Sequence, residues 1–467
     1  MESHQKIYCQ TNFTSALKTP SGEWAKTDAE RANTFANHLS DVFKPFPRQV
    51  TTDEEEIALC NSLVSPCVAI QPITKKETFS ALQSLKYKKA PGYDLITPKI
   101  LKEIPSVGIT LITYIFNAIL RTHSFPIQWK MAQVIMILKP GKPPELATSY
   151  RPISLLPILS KVFETLLFRR MKPLIIEKNI IPDHQFGFRQ HHSTIEQVNR
   201  VYAIARKAIE EKKYCTAVFL DISQAFDKVW HPGLLCKLQK IFPENLFKIL
   251  KSYLSQRYYL VKEKQETTKI FTKLSGVPQG SVLGPVLYTI FTADLPLNSN
   301  TYTATFADDT VIMAIHKDPY SASELIQRNL DSVNIWMKLW RMKANESKST
   351  QITFTLKKQR CPPVKINNIA IPQANDVKYL GIHLDQRLTW QIHIMQKRKQ
   401  LGIKLRNIYW LLGKSSKLSM DNKLLIYKVV KKVKKVFPQA CLCKRVVLVV
   451  FVASVHARAF WKAPFTR

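Results

Sequence analysis

Two short apolar stretches that each run into acid place the strongest constraint on the fold. Tyr214 to Leu220 (YCTAVFL) has the length and composition of a strand buried on both faces, and it leads directly into Asp221. Tyr302 to Ile315 (YTATFADDTVIMAI) reads as strand, tight turn, strand, with Asp308 and Asp309 at the turn. An acid directly after a buried strand faces the edge of its sheet, where α/β folds tend to bind ligands. A hairpin tip between apolar strands projects two carboxylates into one small space. If the strand ending at Asp221 lies beside that hairpin, three carboxylates converge.

Like charges that close repel and raise one another's pKa. A pair of divalent cations removes the repulsion. Two metals about 4 Å apart can activate a hydroxyl and stabilise a leaving pyrophosphate in an in-line displacement. Mg²⁺ suits the role because it takes hard oxygen ligands and keeps waters and phosphate oxygens in its shell; Mn²⁺ is the alternative. Each acid also has an ordinary reading. Asp-Asp pairs are common in turns, and Asp221 alone would serve as the N-cap of a following helix. The joint order of the surrounding segments decides between the two.

Those segments alternate between helical and extended patterns, as an α+β chain does. Residues 1–60 are polar, with an acidic run from Asp53 to Glu56, and read as a partly ordered linker with short helices. Helices are expected over Thr74–Leu85, Ile109–Arg121, Ile158–Met171, Thr194–Glu211 and 322–342. Strands are expected over Ala132–Leu138, Thr350–Thr355 and Lys378–His383. Pro91-Gly92 and Lys139-Pro140-Gly141-Lys142 are turn signals. There are no internal repeats.

Charge narrows the partners. The 467 residues carry a formal net charge of +35, which favours a polyanion: nucleic acid or an anionic membrane surface. Beyond Trp390 the chain reads as basic helices; residues 391–467 hold 18 Lys or Arg and one acid, Asp421. A membrane span is disfavoured, since no apolar run reaches about 18 residues; the nearest, Val446–Val455, follows Lys444-Arg445. The N-terminus MESHQKIYCQ lacks the apolar core of a signal peptide. Eight scattered Cys, with Cys441-x-Cys443 the only close pair, read as free thiols inside the cell. The polybasic stretch Lys431 to Lys435 fits nuclear import or nucleic-acid contact, so nuclear and cytoplasmic sites both stay open.

Taken in order, LDISQAFDKVW (Leu220–Trp230), GVPQGSVLGPVLY (Gly276–Tyr288) and TFADDT (Thr305–Thr310) resemble the reverse transcriptases of non-LTR retrotransposons, the jockey-like elements above all. KKAPGYD (Lys88–Asp94), ILKPGK (Ile137–Lys142), SYRPISLL (Ser149–Leu156), DHQFGFRQHHST (Asp183–Thr194) and KYLGI (Lys378–Ile382) extend the resemblance on both sides. It implies a right-hand polymerase: a connector over 1–64, fingers and palm over 65–390, a partial helical thumb over 391–430 and a divergent basic tail over 431–467. It implies an RNA template, a DNA primer or duplex, deoxynucleoside triphosphates and two Mg²⁺ held by Asp221, Asp308 and Asp309. Phe226 falls at the position that would exclude a ribose 2′-hydroxyl; by spacing alone it reads as helix core. Gln279 and Gly280 match the segment along the incoming nucleotide. Lys139 and Arg151 match the cations that grip its triphosphate, a point charge and a planar fork. Lys348 resembles the lysine beside the leaving pyrophosphate. Tyr379, Leu380 and Gly381 resemble the primer grip; their plain alternative is a β-strand.

Elements of this kind carry an apurinic-type endonuclease domain before the polymerase, and residues 1–60 resemble only the connector that follows it. After about Tyr427 the likeness fades, and a truncated copy is expected. Two rivals remain: a nucleic-acid-binding remnant without catalysis, and a related RNA-synthesising polymerase, which Phe226 disfavours.

Overall fold

A computed structural model describes residues 16–47, 69–412 and 416–432. The acidic run Asp53–Glu56, the apolar stretch Val446–Val455, the Cys441–Cys443 pair and most of the polybasic stretch lie outside the described residues. Leaving aside two-residue pairings, the strands are β1 (Met131–Leu138), β2 (Tyr150–Leu155), β3 (Tyr214–Leu220), β4 (Arg257–Glu263), β5 (Phe271–Lys273), β6 (Tyr302–Phe306), β7 (Asp309–His316), β8 (Thr350–Phe354), β9 (Asp376–Tyr379) and β10 (Ile382–Asp385). The helices that position the site are α1 (Asp28–Val42), α2 (Ile158–Glu177), α3 (Thr194–Glu210), α4 (Leu283–Phe291), α5 (Pro319–Leu339), α6 (Gln391–Asn407) and α7 (Met420–Lys432). The fold is α+β.

The central sheet has strand order β8-β3-β7-β6, antiparallel throughout. All seven residues of β3 are buried, as its apolar composition requires. Period-2 alternation sends its side chains into two different cores. Val218 and Leu220, with Ile312 and Ala314 of β7, join the larger core under α4 and α5. Cys215, Ala217 and Phe219, with Val311 and Met313, face the opposite core, where Val198, Val201 and Ala205 of α3 cover them. A register slip of one residue would exchange the two faces, so burial fixes the pairing.

A second sheet runs β2-β1-β4, with β1 and β4 parallel and β5 on the far side of β4. The described part of the expected connector packs on it. Helix α1 opens with a capping box between Thr27 and Glu30. It buries Phe35, Leu39 and Phe43 against Val134, Tyr259 and Val261.

Several boundaries differ from the sequence reading. Helix α2 continues past Met171 and through Pro173 to Glu177, because Ile175 reaches the same core and tertiary packing outweighs the lost N–H. Helix α5 spans Pro319–Leu339 rather than 322–342, since Asp318 caps it and Pro319 occupies its first turn. Lys378–His383 is not one strand: Leu380 (φ 45) and Gly381 (φ 85) turn the chain between β9 and β10. Cys215 and Cys361 are free thiols as expected, but Cys236 is disulfide-bonded, which corrects the expectation for that residue. Among the described residues no helix is long and apolar enough to cross a membrane.

Two histidines, His184 buried and His231 half-buried, are held in their neutral form. Loss of water holds His184 and His231 at about 4, and the His231 Nε2–H donates to the Gly276 carbonyl at 2.9 Å. Below pH 6.5 the unfolded chain binds a proton at His231 that the folded chain refuses, so this site lowers stability as pH falls from 6.5 towards 4. Buried carboxyls with raised pKa act in the opposite sense, so the effect is read as a difference. His231→Gln should lose stability relative to wild type at pH 7.5, where its hydrogen bond is disturbed. Urea midpoints should then show that gap shrinking as pH falls to 4.5; a gap independent of pH contradicts the neutral assignment.

Candidate active site

Strand β3 ends at Leu220, which pairs with Thr310 of β7. Carrying that register one residue further sets Asp221 opposite Asp309, and opposed residues in antiparallel strands share a face roughly 5 Å apart. Asp308 is the second residue of the two-residue turn that joins β6 to β7, across which Phe306 pairs with Asp309. The three acids expected to converge therefore share one edge of the central sheet.

The expected N-cap alternative for Asp221 fails, because Ile222 bridges to Ala344, residues 223–227 form turns and the next helix begins at His231. The Asp221 carbonyl instead accepts from the Asn345 N–H at 2.7 Å. Its own N–H donates to Ser349 Oγ at 3.2 Å. The loop leading into β8 thus holds the backbone of Asp221 on both sides. From that loop Lys348 brings its Nζ to 3.9 Å from the Asp221 carboxylate; both side chains are open to solvent.

The carboxylates disturb one another. Asp309 is pushed up to about 6, by thinning of the water around it and then by the charges of Asp308 and Asp221, although its side chain still reaches solvent. Asp308 is raised by burial and by Asp221, with Arg151 partly opposing. Uncompensated negative charge on hard oxygen donors fits a divalent cation. Among the described residues no three acidic, His or Cys side chains are already closed into a metal cluster.

Cations lie near enough to act on these acids: the charge of Arg151 opposes the rise at Asp308. Lys139 follows the end of β1, donating its Nζ to the Thr148 carbonyl at 2.9 Å, and Arg151 lies on β2, exposed. Burial, then the neighbouring charges of Lys348 and Arg151, lower the Lys139 pKa, so these three share one field. Gln279 and Gly280 dock against the same β2: the Ser154 N–H donates to the Gln279 carbonyl at 2.8 Å. Gly280 has φ +122, and a Cβ there would meet the Ser154 carbonyl oxygen at 2.5 Å, so this approach needs glycine. The Gln279 side-chain Nε2 donates to Asp227 Oδ2 at 2.7 Å, an interaction the sequence alone did not suggest.

Phe226 lies in a turn, not in helix core, and its ring is only half-buried. It stacks on Tyr288 of α4 at 4.3 Å with an interplanar angle of 23°. Burial and the charges of Asp308 and Asp309 raise the Tyr288 pKa well above its ordinary value, which locates Phe226 next to the acidic edge. Tyr379 is buried edge-on against Phe219 at 5.2 Å, while the turn residue Gly381 is open to solvent with nothing near its Cβ direction. Burial and then Asp309 raise the Tyr379 pKa, so the β9–β10 hairpin adjoins the same edge.

Comparison with known proteins agrees with the sequence resemblance. The reverse transcriptase (RNA-dependent DNA polymerase) family matches residues 137–384. The chain is 41% identical over 425 residues to a probable RNA-directed DNA polymerase from transposon BS of Drosophila melanogaster, covering 88% of this chain and 47% of that protein. It is 41% identical over 421 residues to that of transposon X-element from the same fly, covering 88% and 46%. It is 38% identical over 433 residues to the RNA-directed DNA polymerase from mobile element jockey of Drosophila funebris, covering 90% and 47%. The chain thus spans about half the length of these curated relatives. Because the matched span contains all three acids, the strands that bring them together and the cations opposite, this chain belongs to the reverse transcriptase (RNA-dependent DNA polymerase) family.

Proposed function

We propose that the chain is a template-directed DNA polymerase that copies RNA, and also DNA, by nucleotidyl transfer at the Asp221–Asp308–Asp309 edge. The observation that carries this is the β3–β7 register, which sets Asp221 opposite Asp309 with Asp308 beside it. In this reading the central sheet and its helices are the palm, the β2-β1-β4 sheet belongs to the fingers, and α6 and α7 belong to the thumb.

Asp221, Asp308 and Asp309 would hold two Mg²⁺, which when bound supply Lewis-acid activation of the primer hydroxyl and stabilisation of the leaving pyrophosphate. The protein's part is positioning and preorganised charge, the main terms in transfer to phosphorus. Lys139 and Arg151 grip the triphosphate from the second sheet. Lys348, beside Asp221, stands where a proton could pass to the leaving group. Gln279 and Gly280 bring backbone close to the nucleotide, and the Leu380-Gly381 turn offers exposed backbone to the primer end. Phe226, stacked on Tyr288, closes the space where a ribose 2′-hydroxyl would sit. The net charge of +35 and the basic helices after Trp390 suit a nucleic-acid backbone read without sequence, so duplex binding should weaken steeply with salt.

Primer extension on an RNA template tests the reading. Asp308→Asn should lower the incorporation rate constant roughly 10³-fold, about 4 kcal/mol, with duplex affinity little changed. Undiminished extension would remove the site assignment, and salt-dependent binding without incorporation by wild type would favour a non-catalytic remnant. Phe226→Val should raise incorporation of ribonucleotides relative to deoxyribonucleotides about tenfold or more. An unchanged ratio in single-nucleotide kinetics would show that Phe226 does not set sugar choice.

A further inference from the structure

The turn that carries Asp308 is held in an unfavourable shape. Its first residue, Ala307, has φ 58, a region that L-residues avoid and that glycine usually fills at this position of a two-residue hairpin. Something must supply the free energy that keeps it there.

The segment Asp183–Phe186 does so. It meets β6, the outer strand of the central sheet, through a single parallel bridge between Gln185 and Thr305. The Thr305 N–H donates to the His184 carbonyl at 2.9 Å, and the Phe186 N–H donates to the Thr305 carbonyl at 2.9 Å. Between those bonds Gln185, only 3% exposed, turns its amide onto the turn. Gln185 Oε1 accepts from the Ala307 N–H at 3.0 Å, and Gln185 Nε2 donates to the Ala307 carbonyl at 3.3 Å. One side-chain amide therefore satisfies both backbone groups of the strained residue. Gln185 Oε1 also accepts from the Gly187 N–H at 2.7 Å, which fixes the amide's own orientation. Gln197 of α3, fully buried, donates to the Thr305 carbonyl at 3.1 Å and to the His184 carbonyl at 3.4 Å, which ties both β6 and the segment beside it to the helix behind. Gly187 completes the fit: a Cβ there would overlap the Ala307 amide nitrogen.

We propose that Gln185 is a positioning residue that clamps the Ala307 backbone and so fixes where Asp308 and Asp309 present their carboxylates. This rests on the polymerase reading of that edge, and it adds a role for a loop more than a hundred residues from the turn in sequence. Gln185 does not touch the reacting atoms. It acts by locking a turn whose displacement by an ångström would misplace both carboxylates, an error that can cost about 100-fold in rate. Glutamate could not replace it, because it lacks the N–H that meets the Ala307 carbonyl and adds charge beside the acids.

The test uses Gln185→Met, which keeps the volume and removes the hydrogen bonds, alone and combined with Ala307→Gly. Gln185→Met should keep the urea midpoint and the RNA–DNA duplex affinity of wild type within about threefold. Its single-nucleotide incorporation should slow by about 10- to 100-fold, and it should need more Mg²⁺ for half-maximal rate. Glycine accepts the positive φ unaided, so the loss caused by Gln185→Met should be several-fold smaller in the Ala307→Gly background. Hydrogen–deuterium exchange over residues 302–312 gives a readout independent of activity and should rise in Gln185→Met. Unchanged exchange overturns the clamp, as does a loss in stability and duplex affinity that matches the loss in rate. Wild type that exchanges as expected but incorporates nothing overturns the polymerase reading and leaves the clamp standing.

Discussion

Three carboxylates held at one sheet edge repel one another, and the rest of the structure is arranged to keep them there. The backbone register of β3 against β7 imposes the arrangement, since it leaves Asp221 and Asp309 no choice but to face each other. Near a protein surface two like charges about 4 Å apart cost up to roughly 4 kcal/mol. Burying a single large apolar side chain contributes about 1.5–3 kcal/mol. Strand β3 alone buries Val218, Phe219 and Leu220 within the last turn of the pleat before the acid, and β7 buries Val311, Ile312 and Met313 just after it. Apolar burial on both faces of the sheet outweighs the repulsion at its edge, so the fold can hold a charge cluster that the chain alone would disperse.

The other site residues converge by the same logic of sheets and their edges. Lys139 and Arg151 come from a second sheet whose strand β2 receives the Gln279-Gly280 segment through the Ser154 hydrogen bond. Lys348 comes from the loop that fastens the backbone of Asp221. Asp227, buried and held near 6, lies between these groups. Burial raises it, and Lys273 and Lys228 oppose the rise while Gln279 hydrogen-bonds its carboxylate. Lys348 stands 3.9 Å from the Asp221 carboxylate and the charge of Arg151 acts on Asp308, so both signs of charge meet at this edge.

Much of this was legible in the sequence because it is written in local pattern. YCTAVFL followed by Asp221 reads as a buried strand with an acid at its end, and FADD between apolar runs reads as a hairpin tip. The sequence reading placed α3 to within one residue, whereas Asp318 and Pro319 start α5 three residues earlier than it suggests. What was not legible depends on long-range packing. Strands β2 and β4 are short and of mixed polar and apolar composition, so only their pairing with β1 defines them. Phe226 reads as helix core by spacing, yet it sits in a turn because Gly276 and Val277 hydrogen-bond to Val229 and Phe226 and hold the chain out of helix. Gln185 shows no local signal: its partner, Ala307, is over a hundred residues away, and a buried amide is recognised only when both ends of its hydrogen bonds are seen.

In the proposed reaction, shared divalent cations relieve the mutual repulsion of Asp221, Asp308 and Asp309. Anomalous diffraction from Mn²⁺ in a complex with RNA template, DNA primer and a non-hydrolysable deoxynucleotide reads this directly. Two peaks about 4 Å apart between these carboxylates and the triphosphate are expected. Mn²⁺ held by other side chains, with Asp221 turned away from Asp308 and Asp309, would contradict it.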